Sequence, residues 1–358
     1  AHFWIGTVGI LFYIVAMYTS GVTQGLMWRA FDETGRLAYP DFLETVLRLM
    51  PMYYVRAFGG ALYVIGVVLL LINYVMTWRT RPRQYEPSTD SAPALSAAYN
   101  GPAPQAMFPS DRGNVLGFYW MVKYFTRAEW HRVWERKPIK FAVWTTVAVA
   151  TASLFEIIPT FLIRSNVPTI ASVKPYTPLE LYGRDLYIAE GCYNCHSQMI
   201  RPIRMETERY GEYSKPGEFV YERPFLWGSR RIGPDLHRIG GKYPHLWHVR
   251  HMDNPRSTTP GSIMPPYPWM LKDDINFASI QPRVDAMAML GVPYGEAIRK
   301  GEAMARAQAD SIAEEILAQG GPDVRGKDIV AMTAYLQRLG TDISKSPESA
   351  GEEPVATK

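Results

Sequence analysis

The 358-residue sequence predicts a mainly α-helical protein in which three membrane-spanning helices carry a helical domain outside the cytoplasm. Three observations predict it. Long uncharged runs recur three times, basic residues concentrate between the second and third run, and amphipathic helical patterns flank a single Cys-x-x-Cys-His string. The whole-chain averages hide this division, because 47% hydrophobic residues and a mean hydropathy of −0.13 resemble a soluble chain. They do exclude a disordered or collagen-like protein. A net charge of +4, from 38 Lys+Arg and 34 Asp+Glu, provides no concentrated basic face, so no nucleic-acid partner is expected.

The uncharged runs are Phe3 to Met27, with 25 residues, and Ala57 to Trp78, with 22. A third, Phe141 to Ile163, covers 23 residues and contains Glu156 and Pro159. Each exceeds the ~20 residues a helix needs to cross hydrocarbon. Flanking aromatics (Trp4, Tyr53, Tyr54, Tyr74, Trp78, Trp144) sit where interfacial rings are expected, so the lipid bilayer is one partner. Residues 79–140 hold ten basic side chains against five acids, which assigns that stretch to the cytoplasm. The 28–56 loop, with four of each sign, and the segment after the third span then lie outside. Glu156 is read as either an intramembrane functional acid or an interfacial residue, since it lies near the outer end of its span.

Between the spans, residues 80–110 are rich in Pro, Ser and Ala and predict an extended tether. Residues 114–137 mix aromatic and basic side chains, as in an interfacial amphipathic helix or one packed on a partner subunit. The predicted organisation is a two-span region at 1–80, a cytoplasmic linker at 81–138, an anchor at 139–165, a folded domain at 166–340 and a disordered tail at 341–358. Ala1 directly precedes a span, with neither an initiator Met nor a signal-peptide pattern, so the chain is expected to be cut from something longer.

The chemistry lies in Cys192-Tyr193-Asn194-Cys195-His196, which contains both cysteines of the chain. This spacing is the signature of covalent c-type haem attachment. Two thiols one turn apart can each add to one vinyl group of a porphyrin edge, and the adjacent imidazole then lies over the iron. A zinc site would need a second Cys pair, a redox dithiol would need a strand-helix-strand context, and a structural disulfide is the remaining alternative. Residues 179–188 predict a helix entering the motif, and 327–340 an amphipathic helix ended by glycine. These look like the first and last helices of the cytochrome c fold, with Gly183 allowing a close crossing.

The second axial position calls for a thioether, another imidazole or nothing. Nine methionines and four histidines follow His196. Met264 is the candidate, because Pro260-Gly261-Ser262-Ile263-Met264-Pro265-Pro266 is a constrained non-helical loop that can fix one side chain. A His/Met pair raises the potential of a haem relative to bis-His ligation and leaves no open position for oxygen. His245, His248 and His251, spaced by three, lack acid or Cys companions in the sequence, and no metal site is expected there. Arg230 and Arg231 are candidate partners of haem propionates, with a solvated surface pair as the alternative.

From about residue 139 onward the sequence resembles the membrane-anchored mono-haem subunit of cbb3-type (C-type haem-copper) cytochrome c oxidase. The strings that carry the resemblance are Phe155-Glu156-Ile157-Ile158-Pro159, Glu190-Gly191-Cys192-Tyr193-Asn194-Cys195-His196-Ser197-Gln198, Arg231-Ile232-Gly233-Pro234-Asp235-Leu236 and Met264-Pro265-Pro266-Tyr267-Pro268-Trp269. Arg209-Tyr210-Gly211 and Phe225-Leu226-Trp227-Gly228-Ser229 add to it. The Gly-Pro-x-Leu segment resembles that of cytochromes c, which implies that the Pro234 carbonyl accepts a hydrogen bond from His196. Residues 1 to about 80 resemble the last two helices of the catalytic subunit, through Gly21-Val22-Thr23-Gln24-Gly25-Leu26-Met27-Trp28-Arg29-Ala30 and Arg56-Ala57-Phe58-Gly59-Gly60.

The resemblance implies the C-terminal part of a fused subunit I–subunit II polypeptide, with a cytochrome c-like domain on the periplasmic side of a bacterial inner membrane. It implies one haem c on Cys192 and Cys195, with His196 and Met264 as the axial iron ligands. Electrons would pass from a c-type cytochrome donor to the haem-copper subunit, which reduces oxygen to water with proton translocation. Haem b, copper and the oxygen-reducing residues are expected only in the missing upstream part of subunit I. The rival readings are a free membrane-anchored cytochrome serving several redox partners, and an assembly protein whose haem only stabilises the fold.

Overall fold

The computed structural model describes residues 1–82, 137–163 and 168–345. Among these residues the regular structure is helical, with only isolated bridges at Phe31–Leu37 and Asp274–Lys327. The expected tether and amphipathic segment fall mostly at 83–136, and the end of the tail at 346–358, outside the described residues. Residues Ala1–Leu71 and those from Val167 onward form one unit, and Ile72–Asn166 another.

In the first unit, α1 (His2–Trp28) packs against α2 (Phe42–Thr80). A Cβ at Gly9 would lie 2.7 Å from the Gly59 carbonyl oxygen, so the two backbones touch without intervening side chains. Phe12 and Phe58 meet edge to face at 5.5 Å beside this crossing. Large apolar side chains such as Leu11, Val15, Leu71 and Tyr74 face outward on these helices. Both helices, and α3 (Pro138–Leu162) in the second unit, are long and apolar enough to cross a membrane.

One boundary differs from the sequence expectation. The second helix starts at Phe42, fifteen residues before the uncharged run, and passes through Pro51. Glu44, Arg48 and Arg56 interrupt the uncharged pattern, while Thr45, Val46 and Leu49 continue a buried helical face. The loop between the first two helices is therefore only residues 29–41.

The haem-motif domain is built on α4 (Pro178–Ala189), α5 (Arg204–Tyr210), α6 (His245–Asp253), α7 (Ile280–Met289), α8 (Ala297–Ala318) and α9 (Asp328–Arg338). Thr177 and Glu180 form a reciprocal capping box with Pro178 at the first helical position, which fixes where α4 begins. Helix α4 crosses α9 so closely that a Cβ at Gly183 would collide with the Ala331 carbonyl. Every residue of α9 from Ile329 to Leu336 is buried, so this helix is central rather than one-sided. Its Thr333 hydroxyl is satisfied by donating to the Ile329 carbonyl at 2.8 Å. Helix α8 buries Ala305, Ala309, Ile312, Ala313 and Ile316 along one face.

The folded domain continues past 340. Asp342 is buried, pairs with the Arg338 guanidinium and accepts the Lys174 N–H at 3.1 Å. Residues 341–345, assigned to the tail by sequence, thus close the domain because this carboxylate has partners far away in the chain.

Candidate functional site

The turn after α4 places both thiols and the imidazole in one short stretch. Residues Cys192–Asn194 form a single 3-10 turn, and the Cys195 and His196 amides both donate to the Cys192 carbonyl, at 3.1 and 2.9 Å. Both cysteines are unpaired thiols, which leaves the disulfide alternative without support. Cys192 is buried in the main hydrophobic core, and burial pushes its thiol up to about 12. Its neutral form is thereby favoured.

His196 is held from behind by the 231–234 segment. Amides of Ile232 and Gly233 donate to the Cys195 carbonyl, each at 2.9 Å. The imidazole Nδ1 lies 2.8 Å from the Pro234 carbonyl oxygen. A carbonyl can only accept, so Nδ1 carries the proton and Nε2 keeps its lone pair for a metal. Burial lowers the imidazole pKa, which also favours the neutral ring. Gly233 packs directly on this ring: a Cβ there would lie 2.7 Å from both ring nitrogens.

Met264 lies on the 259–267 loop, far downstream of the motif in sequence. It is half-buried against the same core as Cys192, on a turn in which Ser262 Oγ accepts the Met264 N–H at 3.2 Å. The loop carrying it closes over the Cys-x-x-Cys-His turn. Trp269 Nε1 donates to Glu190 at 3.1 Å, and the Tyr267 phenol is pushed up to about 12 by burial, with the two cysteines and Glu190 close enough to add to the shift. Met252, Met270, Met287 and Met332 are core filler in this structure.

The two arginines separate. Arg230 is exposed, whereas the Arg231 side chain is 7% exposed and its guanidinium is engaged by the protein. Nε donates to Ser197 Oγ at 2.7 Å, NH2 to the Met199 carbonyl at 2.7 Å, and NH1 lies 2.8 Å from Glu206, with Asp235 at 3.2 Å. In this structure the Arg231 donors tie the segment after the motif to Glu206 and Asp235. Asp235 is further fixed by Ser197 Oγ at 2.6 Å and by the Met199 and His237 amides at 2.9 and 2.8 Å. No signal in the sequence pairs Arg231 with Glu206, because the contact depends on how α5 folds back.

The three histidines of α6 take separate roles. His245 faces Glu315 at 3.2 Å, His251 meets Thr258 Oγ1 at 2.7 Å and stacks on Trp247 at 4.5 Å, and His248 is buried. Among the described residues no group of three or more His, Cys, Asp or Glu side chains is arranged to hold a metal ion. The donor set of two free thiols, one preset imidazole and one loop thioether does fit a c-type haem.

The family described as cytochrome C oxidase, mono-heme subunit/FixO matches residues 131–343. The cytochrome c oxidase subunit 1 homolog, bacteroid, of Bradyrhizobium diazoefficiens is 50% identical over 78 residues, 22% of this chain and 14% of that protein. The Cbb3-type cytochrome c oxidase subunit CcoN1 of Stutzerimonas stutzeri is 38% identical over 95 residues, 25% of this chain and 19% of that protein. A cytochrome c oxidase subunit 1 homolog of Azorhizobium caulinodans is 47% identical over 76 residues, 21% of this chain and 14% of its own length. The chain thus spans less than a fifth of these curated relatives. With more than half of its residues matched, and with the preset imidazole and free thiols in that part, the chain belongs to the FixO family of mono-haem cytochrome c oxidase subunits.

Proposed function

We propose that the chain is the electron-transfer part of a cbb3-type cytochrome c oxidase, joined at its N-terminus to the end of the oxidase's catalytic subunit. The observation that carries this reading is the His196 imidazole, held by the Pro234 carbonyl with Nε2 free, beside two unpaired thiols in one turn. Matches to a mono-haem subunit family and to subunit I relatives within one chain support the fusion. When bound, a haem c supplies a one-electron iron couple. Cys192 and Cys195 would hold it covalently, His196 and Met264 would supply its iron ligands, and the exposed Arg230 would meet a propionate.

The protein's own residues do the rest. Pro234 and Gly233 fix the ring orientation of His196, and the Met264 loop would supply the thioether. The three apolar helices anchor the domain to the inner membrane, with the basic linker in the cytoplasm and the haem-bearing domain in the periplasm. With haem c bound, the domain would relay electrons from a c-type cytochrome to the haem-copper subunit that reduces oxygen to water with proton translocation. Haem b, copper and their ligands belong to the upstream part of subunit I.

Cys192→Ser/Cys195→Ser tests the reading directly. The unmodified chain should gain the mass of one haem and purify with haem b and copper, and the double variant should lose that mass. A chain that gains no haem mass, or whose haem domain purifies without haem b and copper, would contradict it.

A further inference from the structure

The ends of the first two helices touch the haem-motif domain at two separate places, and each place is the back of a ligand-bearing segment. On one side, Gln24 Nε2 near the end of α1 donates to the Arg231 carbonyl at 3.3 Å. That carbonyl begins the segment whose next amides grip Cys195 and whose Pro234 carbonyl orients His196. The 29–41 loop reinforces this contact from α5. Arg204 donates to the Gly35 carbonyl and lies 4.5 Å over the Phe31 ring, while Arg209 donates to the Pro40 carbonyl at 2.9 Å.

On the other side, Gly261, three residues before Met264, faces the start of α2 across a space about one side-chain carbon wide. A Cβ at that position would lie 3.5 Å from a Leu43 methyl and 3.7 Å from a Leu47 methyl, which is ordinary van der Waals contact. The Met264 loop has little regular structure of its own, being held by short turns at Thr259 and Ser262 and by the Tyr267 amide on the Met252 carbonyl at 2.7 Å. Leu43 and the half-exposed Leu47 flank it on that side.

We propose that the outer ends of α1 and α2 are positioning elements for both axial-ligand segments, so that the haem's potential and thioether ligation are set partly from outside the cytochrome domain. The inference rests on the proposed His196 and Met264 ligation. A thioether ligand raises the potential relative to its loss or replacement, so a loop that recedes from the iron lowers it. Gln24 and Leu47 are positioning residues, since neither belongs to the ligand set.

The test uses the full chain in its oxidase complex, with Leu47→Ala, Gln24→Leu, the conservative Leu47→Met and the remote, outward-facing Leu11→Ala. Haem c is titrated potentiometrically, thioether–iron ligation is followed by its red charge-transfer absorption, and covalent haem by mass. Leu47→Ala and Gln24→Leu should keep the haem yet shift the oxidised-to-reduced ratio at fixed ambient potential by about threefold toward the oxidised form, or about 28 mV. Leu47→Met should restore the unmodified value, and Leu11→Ala should not depart from it. Unchanged potential and absorption in both Leu47→Ala and Gln24→Leu, with haem retained, would overturn the inference alone. Absence of the thioether absorption from the unmodified chain would overturn the ligand assignment beneath it.

Discussion

Arg231→Met separates the structural reading of this arginine from a propionate role. The substitution keeps the aliphatic stem and removes a guanidinium that meets Ser197, Met199, Glu206 and Asp235 at 2.7 to 3.2 Å. Side-chain exposures of 7% for Arg231, 3% for Glu206 and 0% for Asp235 mean that water replaces little of what is lost. Breaking a buried pair by removing one partner costs about 3–5 kcal/mol. The lower end applies here, because Asp235 retains three other donors and Glu206 retains the Arg201 amide at 2.8 Å. A loss of about 3 kcal/mol should lower the midpoint of thermal unfolding by about 6–12 °C in a domain of this size. Glu206 also keeps the Arg201 guanidinium, so the charge left without its cation is that of Asp235. A change below about 1 kcal/mol, a small effect for a buried charge, with a displaced haem potential would refute the assignment and restore the propionate role.

Gly233→Ala places a methyl against the His196 ring and should weaken or break the 2.8 Å contact with Pro234, lowering the yield of correctly ligated haem and costing about 1–3 kcal/mol in denaturant unfolding; an unchanged visible spectrum would count against this packing. Acid stability should fall in two separable windows. Burial, with His245 and His251 adding, holds His248 at about 4 against an ordinary 6.5, so its contribution is complete above pH 6.5 and is lost as pH falls toward 4. Over those ~2.5 units the loss is about 3 kcal/mol, and His248→Gln should flatten this limb. For Glu218, burial opposes ionisation, but hydrogen bonds from His237 and Arg238 prevail and hold it at about 2. Its contribution is present above about pH 4.5 and lost as pH falls to 2, a window that Glu218→Gln should remove and that urea melts at stepped pH would resolve.

What the sequence made legible was local. The three apolar runs, the helix before the motif and the Cys-x-x-Cys-His spacing each lie within one element, and Gly183 marks the crossing with α9 because only a missing side chain permits it. Features that depend on distant partners were less legible. The start of α2 was hidden by Glu44, Arg48 and Arg56, although its buried face continues through Val46 and Leu49. The all-round burial of α9 follows from neighbours on several sides, which a one-dimensional period does not encode. Asp342 belongs to the domain through Arg338 and Lys174, the latter far away in sequence. In the site, the motif and its proline were visible, whereas the engagement of Arg231 by Glu206 and the closure of Trp269 on Glu190 arise only from the fold.

Spectroelectrochemical titration of the full chain, unmodified and as Met264→His, tests the central claim most directly. A single one-electron haem c with the thioether absorption is predicted for the unmodified protein. In the variant that absorption should vanish and the potential should drop, as expected for a change from His/Met to bis-His ligation. An identical spectrum and potential in the two proteins would contradict the assignment of Met264, and with it the description of this domain as a closed-site electron relay.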